Sequence, residues 1–308
     1  MALRDYLAGE VAEDFAEGLL SRREALRRLG LLGLGIGASG SLLAACAGPT
    51  GPPASATGAA PGPGTPSPAG PVPGRGPGTP TGTDVRFPGP NGATLRGAWA
   101  APVGSPRGAV LVVHENRGLT QHFYDVVGRF AGAGYGALCV DLLSSQGGTS
   151  ALTDPAAAPT ALAKAPVEAL VADLRAGIDE LGRRAPGTKV GAVGFCFGGG
   201  MVWQLLAAGE ARLTSAVPFY GPAPDRPDFS RAKAAVLALY GALDARVDAT
   251  IPTAEAALRS AGLTYQVRVF PDANHAFFND AGARYQPDAA RAAWSATVDW
   301  LNSHTASA

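Results

Sequence analysis

The sequence predicts an α/β fold: a mostly parallel central sheet with helices on both faces and an N-terminal antiparallel hairpin. Three observations carry this. From about residue 84 onward, short apolar runs of strand type alternate with stripes of apolar residues at helical spacing. The strand runs are continuously apolar, as in GAVLVVH at 108–114, which marks strands covered on both faces. An Asn91-Gly92 pair, the strongest short hairpin signal, separates the first two strands.

The hairpin pairs residues 85–87 with 93–100. Residues 108–114 form the first core strand. Phe123, Val126, Val127 and Phe130 then recur at i, i+3, i+4 and i+7, a helix that Gly132 and Gly134 end. A strand at 135–142 follows, then a helical stripe through Val167, Leu170, Val171, Leu174, Ile178 and Leu181. Residues 189–195 are a strand and 198–208 a helix; 213–220 and 234–240 are strands; 253–261 is a helix and 264–270 a strand. A closing helix over 287–304 carries Trp294, Val298 and Leu301 on one face.

The N-terminal quarter has another composition. The chain holds 308 residues, 42 of them Gly and 26 Pro, with a net charge of zero. Over residues 47–82, 21 of 36 positions are Gly or Pro, too few apolar side chains to offset the entropy of ordering. Residues 46–83 therefore read as a disordered tether, and a Pro-rich recognition ligand is the lesser alternative. Upstream, Ser21-Arg22-Arg23 opens a basic patch that includes Arg27 and Arg28. Residues 29–45 carry no charge, and Leu43-Ala44-Ala45 precedes Cys46. A positive region, a modest apolar region and small residues before a cut mark an export signal over 1–45. The pattern is similar to a twin-arginine signal, with Ala25 where a Phe is usual, and ends in a segment that resembles a bacterial lipobox. That resemblance implies a lipid on Cys46, a mature chain beginning there, and a location on the outer face of the cytoplasmic membrane, in the periplasm or at the cell surface. An uncleaved signal anchor is the alternative. Residues 1–20 show some helical amphipathicity and receive no function.

The remaining 84–308 suits one domain, with 19 basic and 19 acidic residues. That balance argues against nucleic acid as a partner. In open parallel sheets the chemistry collects at the carboxyl ends of the strands. One such end reads Gly194-Phe195-Cys196-Phe197-Gly198-Gly199-Gly200, a G-x-C-x-G nucleophile elbow between strand and helix. Small flanking residues permit the sharp turn, and a helix N-terminus beneath the sulfur is expected to lower its pKa. A thiol nucleophile needs a base. His275, in a loop just past the last strand, follows Cys196 in the order nucleophile, acid, base, whereas His304 lies near the C-terminus. Asp244, four residues past the 234–240 strand, is the expected acid, with Asp248 its competitor. Glu115 follows the first core strand, either in an ion pair with Arg117 or tuning the Cys-His pair. Cys139 reads as a buried free thiol. No His/Cys/Asp spacing in the sequence marks a metal site, and no cofactor is expected.

Four motifs in order, Gly-Phe-Cys-Phe-Gly-Gly at 194–199, His-Glu-Asn-Arg-Gly at 114–118, Tyr240-Gly241-x-x-Asp244 and Asn274-His275-x-Phe277, resemble the dienelactone hydrolase family of α/β-hydrolases (carboxymethylenebutenolidase-like enzymes). The resemblance implies Cys196 as nucleophile, His275 as base and Asp244 as the group that orients it. It further implies that Glu115 hydrogen-bonds the resting thiol, and that the backbone N–H groups of Phe197 and Asn116 form the oxyanion hole. Members proper carry an arginine four residues after the histidine, which grips a substrate carboxylate; here that position is Asn279, with Arg117 or Arg284 as possible substitutes. The expected activity is hydrolysis of an ester or lactone through a thioester. The alternatives are a carboxylesterase or thioesterase of different preference, a non-catalytic ligand-binding lipoprotein, and a redox-sensing thiol.

Overall fold

The computed structural model describes residues 3–46 and 72–306. Its centre is an eight-stranded sheet in the order β1-β2-β4-β3-β5-β6-β7-β8. The strands are β1 (Thr83–Pro88), β2 (Thr94–Ala100), β3 (Gly108–Val113), β4 (Tyr135–Val140), β5 (Val190–Phe195), β6 (Leu213–Phe219), β7 (Ala235–Gly241) and β8 (Tyr265–Phe270). β1 and β2 pair antiparallel, as do β2 and β4; every other neighbouring pair is parallel. The β1–β2 connection turns on Asn91 and Gly92, both at positive φ, the conformation that the Asn-Gly pair favours.

β3, β4, β5 and β7 are buried at every position, which explains their unbroken apolar sequences. The edge strand β8 is half exposed and alternates. Helices α4 (Gln121–Gly132) and α10 (Pro287–His304) lie on one face, with Phe130 and Trp294 in ring contact at 4.9 Å. α6 (Val167–Arg184) and α7 (Phe197–Ala207) pack together on the other. α5 (Ala158–Lys164), α8 (Ala245–Asp248) and α9 (Ile251–Ser260) complete the domain.

The parallel register brings all the strand ends that matter to one edge. Val113 pairs with Gly194, Phe195 with Phe219, and Gly241 with Phe270. The residues just beyond them therefore emerge side by side, as the open-sheet rule requires.

Residues 3–46 fold as three helices: α1 (Leu3–Ala16), α2 (Arg22–Leu31) and α3 (Ile36–Cys46). α1 packs against α2, α3 and α5. Ser21 caps α2, accepting from the Glu24 N–H, and leaves Arg22 and Arg23 exposed. Arg27 reaches across to Asp154 at 2.6 Å. No helix among the described residues is long and apolar enough to cross a membrane. Most of the expected tether, residues 47–71, lies outside the described residues. Residues 72–82 run along the domain: Gly82 N–H donates to the Tyr124 carbonyl at 2.8 Å, and Arg75 pairs with Asp125 at 3.0 Å.

Candidate active site

Cys196 sits between β5 and α7 at φ 56°, ψ −121°, a left-handed conformation that a side chain of its size rarely adopts. Close packing enforces it. A Cβ on Gly194 would lie 2.1 Å from the Gly198 carbonyl oxygen, and one on Gly198 would lie 2.2 Å from that of Val113. Only backbone without side chains lets β5 turn into α7 at this distance from β3. Gly200 is different, since its nearest neighbour would be Pro222 at 3.6 Å. The elbow thus needs fewer glycines than the run of three suggests.

His275 Nδ1 lies 2.6 Å from Asp244 Oδ2, and both side chains are buried. Asp244 also caps α8, its Oδ1 accepting from the Val247 N–H at 3.3 Å. One carboxylate therefore holds both the ring and the loop that presents it. The Oδ1 of Asp248, the competitor, has no hydrogen-bond partner among the described residues, and its carboxyl is pushed up to about 6 by burial and by the charge of Asp244. Asp244 keeps a lowered pKa: burial opposes its charge, and His275, with Arg246 and the Val247 N–H, more than offsets that.

The structure brings the side chains of Cys196, His275 and Asp244 together, and two features around them differ from expectation. The first concerns Glu115. Its Oε1 accepts from the Tyr220 hydroxyl at 3.2 Å and its Oε2 from the Asn279 amide at 2.7 Å. The carboxylate at the sulfur is instead that of Glu10, from α1: the thiol donates to Glu10 Oε2 at 3.9 Å. Asn279, standing where members proper have arginine, explains part of this, because its amide engages Glu115. The second concerns the thiol itself. Its pKa is raised rather than lowered, by burial first and the Glu10 charge second, with His275 pulling less strongly the other way.

α1 lies directly over these groups. The Tyr6 hydroxyl is 3.3 Å from Cys196 Sγ, within hydrogen-bond reach. Glu10 Oε2 is 3.2 Å from His275 Nε2, out of line for a hydrogen bond and so an ion-pair contact. Burial opposes charge on the His275 ring, but Glu10, Cys196 and Asp244 together raise its pKa well above the usual value. Cys196 and His275 are left only 3% and 2% exposed. Ligand-type atoms of Glu10, Cys196 and His275 fall within 4.8 Å of one another, a set of types that can bind zinc; it exists only where α1 meets the strand-end loops and was invisible as a spacing.

A cleft of about 490 Å³ opens beside the sulfur, lined by Glu115, Arg117, His122, Cys196, His275 and Arg284 among others, with Glu10 and Asp14 of α1 on one wall. Arg284 is not free to grip a substrate here, because Asp14 at 2.9 Å and Glu17 at 2.6 Å hold it. His114 is structural: Leu142 N–H donates to its Nε2 at 3.1 Å, which leaves Nδ1 to donate to the Glu115 carbonyl at 2.7 Å. It thereby fixes the backbone that carries Glu115 and Asn116. The Phe197 N–H is the first of α7, among the four donors a helix leaves without an internal partner. Cys139 is a buried free thiol in β4, as expected.

A model of the dienelactone hydrolase family matches residues 95–305. The chain belongs to the dienelactone hydrolase family. A protein of Methylorubrum extorquens described as a candidate carboxymethylenebutenolidase is 34% identical over 215 residues, 65% of this chain and 74% of that protein. The crystal structure of a candidate dienelactone hydrolase from Klebsiella pneumoniae aligns with TM-score 0.64 and 29% identity, over 71% of this chain and 97% of that one. A dienelactone hydrolase-like promiscuous phosphotriesterase from metagenomic libraries aligns with TM-score 0.56 and 26% identity, over 73% and 99%. This dienelactone hydrolase-family chain is a hydrolase of the α/β-hydrolase fold that acts on carboxylic esters or lactones.

The residues that sequence reasoning missed are Tyr6 and Glu10, Tyr220, and the buried His122–Asp280–Arg129 set, in which Asp280 meets His122 Nδ1 and Arg129 Nη2 at 2.8 Å each. Leu7 and Val11 at i, i+4, beside Glu10, Asp14 and Glu17, were a legible helical signal in a segment set aside as leader.

Proposed function

We propose that this hydrolase works through a Cys196–His275–Asp244 triad and a thioester intermediate. The observation that carries the reading is the 2.6 Å contact of His275 Nδ1 with Asp244, beside a cysteine held at φ 56°. With Nδ1 engaged, Nε2 is the nitrogen left to take the thiol proton. Cys196 Sγ attacks the carbonyl carbon as its proton passes to His275 Nε2. The tetrahedral oxyanion, met by the N–H groups of Phe197 and Asn116, collapses; the carbon–oxygen bond breaks and the leaving alcohol takes the proton from Nε2. Water then adds to the thioester, giving its proton to Nε2, and collapse returns that proton to the sulfur and frees the acid. Each oxyanion donor is typically worth about 3–4 kcal/mol. Glu115, near enough for its charge to raise the thiol pKa, tunes that sulfur at a distance. The chemistry needs no cofactor.

We also infer export and anchoring. The exposed Arg22 and Arg23 and the Leu43–Cys46 segment support a signal whose removal leaves a lipidated Cys46 at the membrane. Replacing Cys46 by Ala is expected to abolish palmitate labelling; a variant still labelled overturns the lipobox.

Turnover of p-nitrophenyl acetate and a lactone panel, with and without residues 1–46 and with Cys196→Ala alongside, tests the catalytic reading. Hydrolysis lost in Cys196→Ala supports it. Equal turnover by both removes Cys196 as nucleophile, and no turnover of any substrate by either form removes the enzyme mechanism.

A further inference from the structure

Helix α1 offers the active site what a reaction product would offer. The acid released by the proposed reaction carries a carboxylate, and Glu10 presents one to the same two groups, 3.2 Å from His275 Nε2 and 3.9 Å from Cys196 Sγ. A reacting carbonyl carbon must approach a nucleophile to roughly 3–3.5 Å, and the Glu10 carboxylate and the Tyr6 hydroxyl already occupy positions against the sulfur.

The helix is seated there on both sides. Arg246 pairs with Glu10, and with Glu13 at 2.7 Å, while its guanidinium lies 4.9 Å from the Tyr6 ring centroid. Arg284 pairs with Asp14 and Glu17, and Asn274, the residue before His275, donates to Glu17 at 2.8 Å. Between these polar anchors Tyr6, Leu7, Val11 and Ala12 are buried, Leu7 and Ala12 completely. This is a fitted face, apolar in its seam and acidic where the domain is basic.

We propose that α1 is a built-in plug: with residues 3–16 docked the hydrolase is latent, and displacing them switches it on. The inference rests on the catalytic reading above and concerns the regulation of that same site. The Glu10 charge also disfavours the thiolate that attack requires, so the block is electrostatic as well as steric. Because the plug is tethered, it competes at an effective concentration that a small free ester does not readily match. Removal of the chain up to Cys46, as the proposed export signal implies, takes away all three helices at once and leaves Arg246 and Arg284 without those partners. Latency before export and activity after it would follow from one cut.

The test follows the thiol rather than the ester. In the full chain carrying Cys46→Ser, iodoacetamide labelling of Cys196 is read by peptide mass, with Cys139, buried in β4, as the control for general unfolding. Leu7→Asp and Arg246→Ala each loosen α1 from a different side and are expected to speed Cys196 labelling about tenfold or more, with Cys139 unchanged. Should both cysteines label faster together, a protease site placed within residues 47–71, cut after folding and followed by removal of the 1–46 piece on a column, decides the matter with the catalytic domain unaltered. Cys196 labelling that does not rise after that removal overturns the plug. Measurable ester turnover that is equal with and without α1, or lower without it, also overturns the plug while leaving the catalytic mechanism standing. Fast labelling with no turnover of any ester keeps the plug and discards the mechanism.

Discussion

Two regions meet at Cys196 and are built on different terms. The strand-end loops hold their residues by backbone geometry: a cysteine at positive φ, glycines wedged against carbonyl oxygens, and an aspartate that serves as both helix cap and ring anchor. Helix α1 holds Tyr6 and Glu10 by side chains alone, through two arginines and an apolar seam. The first arrangement cannot be altered without unmaking the fold. The second can be released whole, since its contacts run between side chains and no strand pairing joins it to the sheet. A permanent site and a removable cover have been built against the same sulfur.

The largest effect is expected within the proposed triad. Asp244→Asn keeps the shape but offers His275 Nδ1 an amide, which favours the wrong tautomer; turnover is expected to fall on the order of 10,000-fold with folding retained, read by ester hydrolysis and circular dichroism on chain freed of α1. A loss of tenfold or less would mean that Asp244 does not orient the base. The elbow itself comes next. Gly198→Ala is expected to cost about 3 kcal/mol or more in urea denaturation, because its Cβ meets the Val113 carbonyl oxygen. Gly200→Ala, two residues along in the same helix, has room and is expected to leave stability unchanged or raise it by up to about 1 kcal/mol. Equal losses at both positions would show that close approach is not what the glycines serve.

A further stability effect tests the ion pair next to His122, which lines the cleft. Arg129 is buried and pairs with Asp280, so Asp280→Asn leaves an unpaired buried cation at a cost of about 3 kcal/mol. Asp280 is itself partly buried, which opposes its charge, yet His122 and Arg129 hold its carboxyl well below the usual range. A depressed carboxyl stabilises the fold above its unfolded pKa of about 3.9 and loses that contribution as pH falls through the folded value. The stability gap between wild type and Asp280→Asn is therefore expected to be full at pH 7 and to narrow below about pH 4. A gap that persists unchanged to low pH would contradict the assignment.

The sheet, the elbow and the order Cys196, Asp244, His275 were legible because each is local: a strand, a turn and a residue just past them. Every expected strand is present, within a residue or two at most ends. Glu115 was legible as a strand-end carboxylate but its partners were not, since they depend on Tyr220 and on Asn279, 105 and 164 residues away. The direction of the Cys196 pKa is likewise not set locally. Helix N-terminus and glycine pattern argue for a lowered thiol, but burial under a helix 186 residues distant decides the sign. The helical character of residues 1–20 was legible, but the docking of α1 on Cys196 was not, since it depends on contacts 186 and 190 residues away in sequence.

In the proposed mechanism Cys196 carries the acyl group. Chain freed of α1, mixed with p-nitrophenyl acetate and quenched in acid during turnover, should yield a Cys196 peptide bearing an acetyl thioester that forms and then decays as substrate runs out. A Cys196 peptide that stays unmodified throughout turnover, with the acetyl group found on another residue, would contradict it.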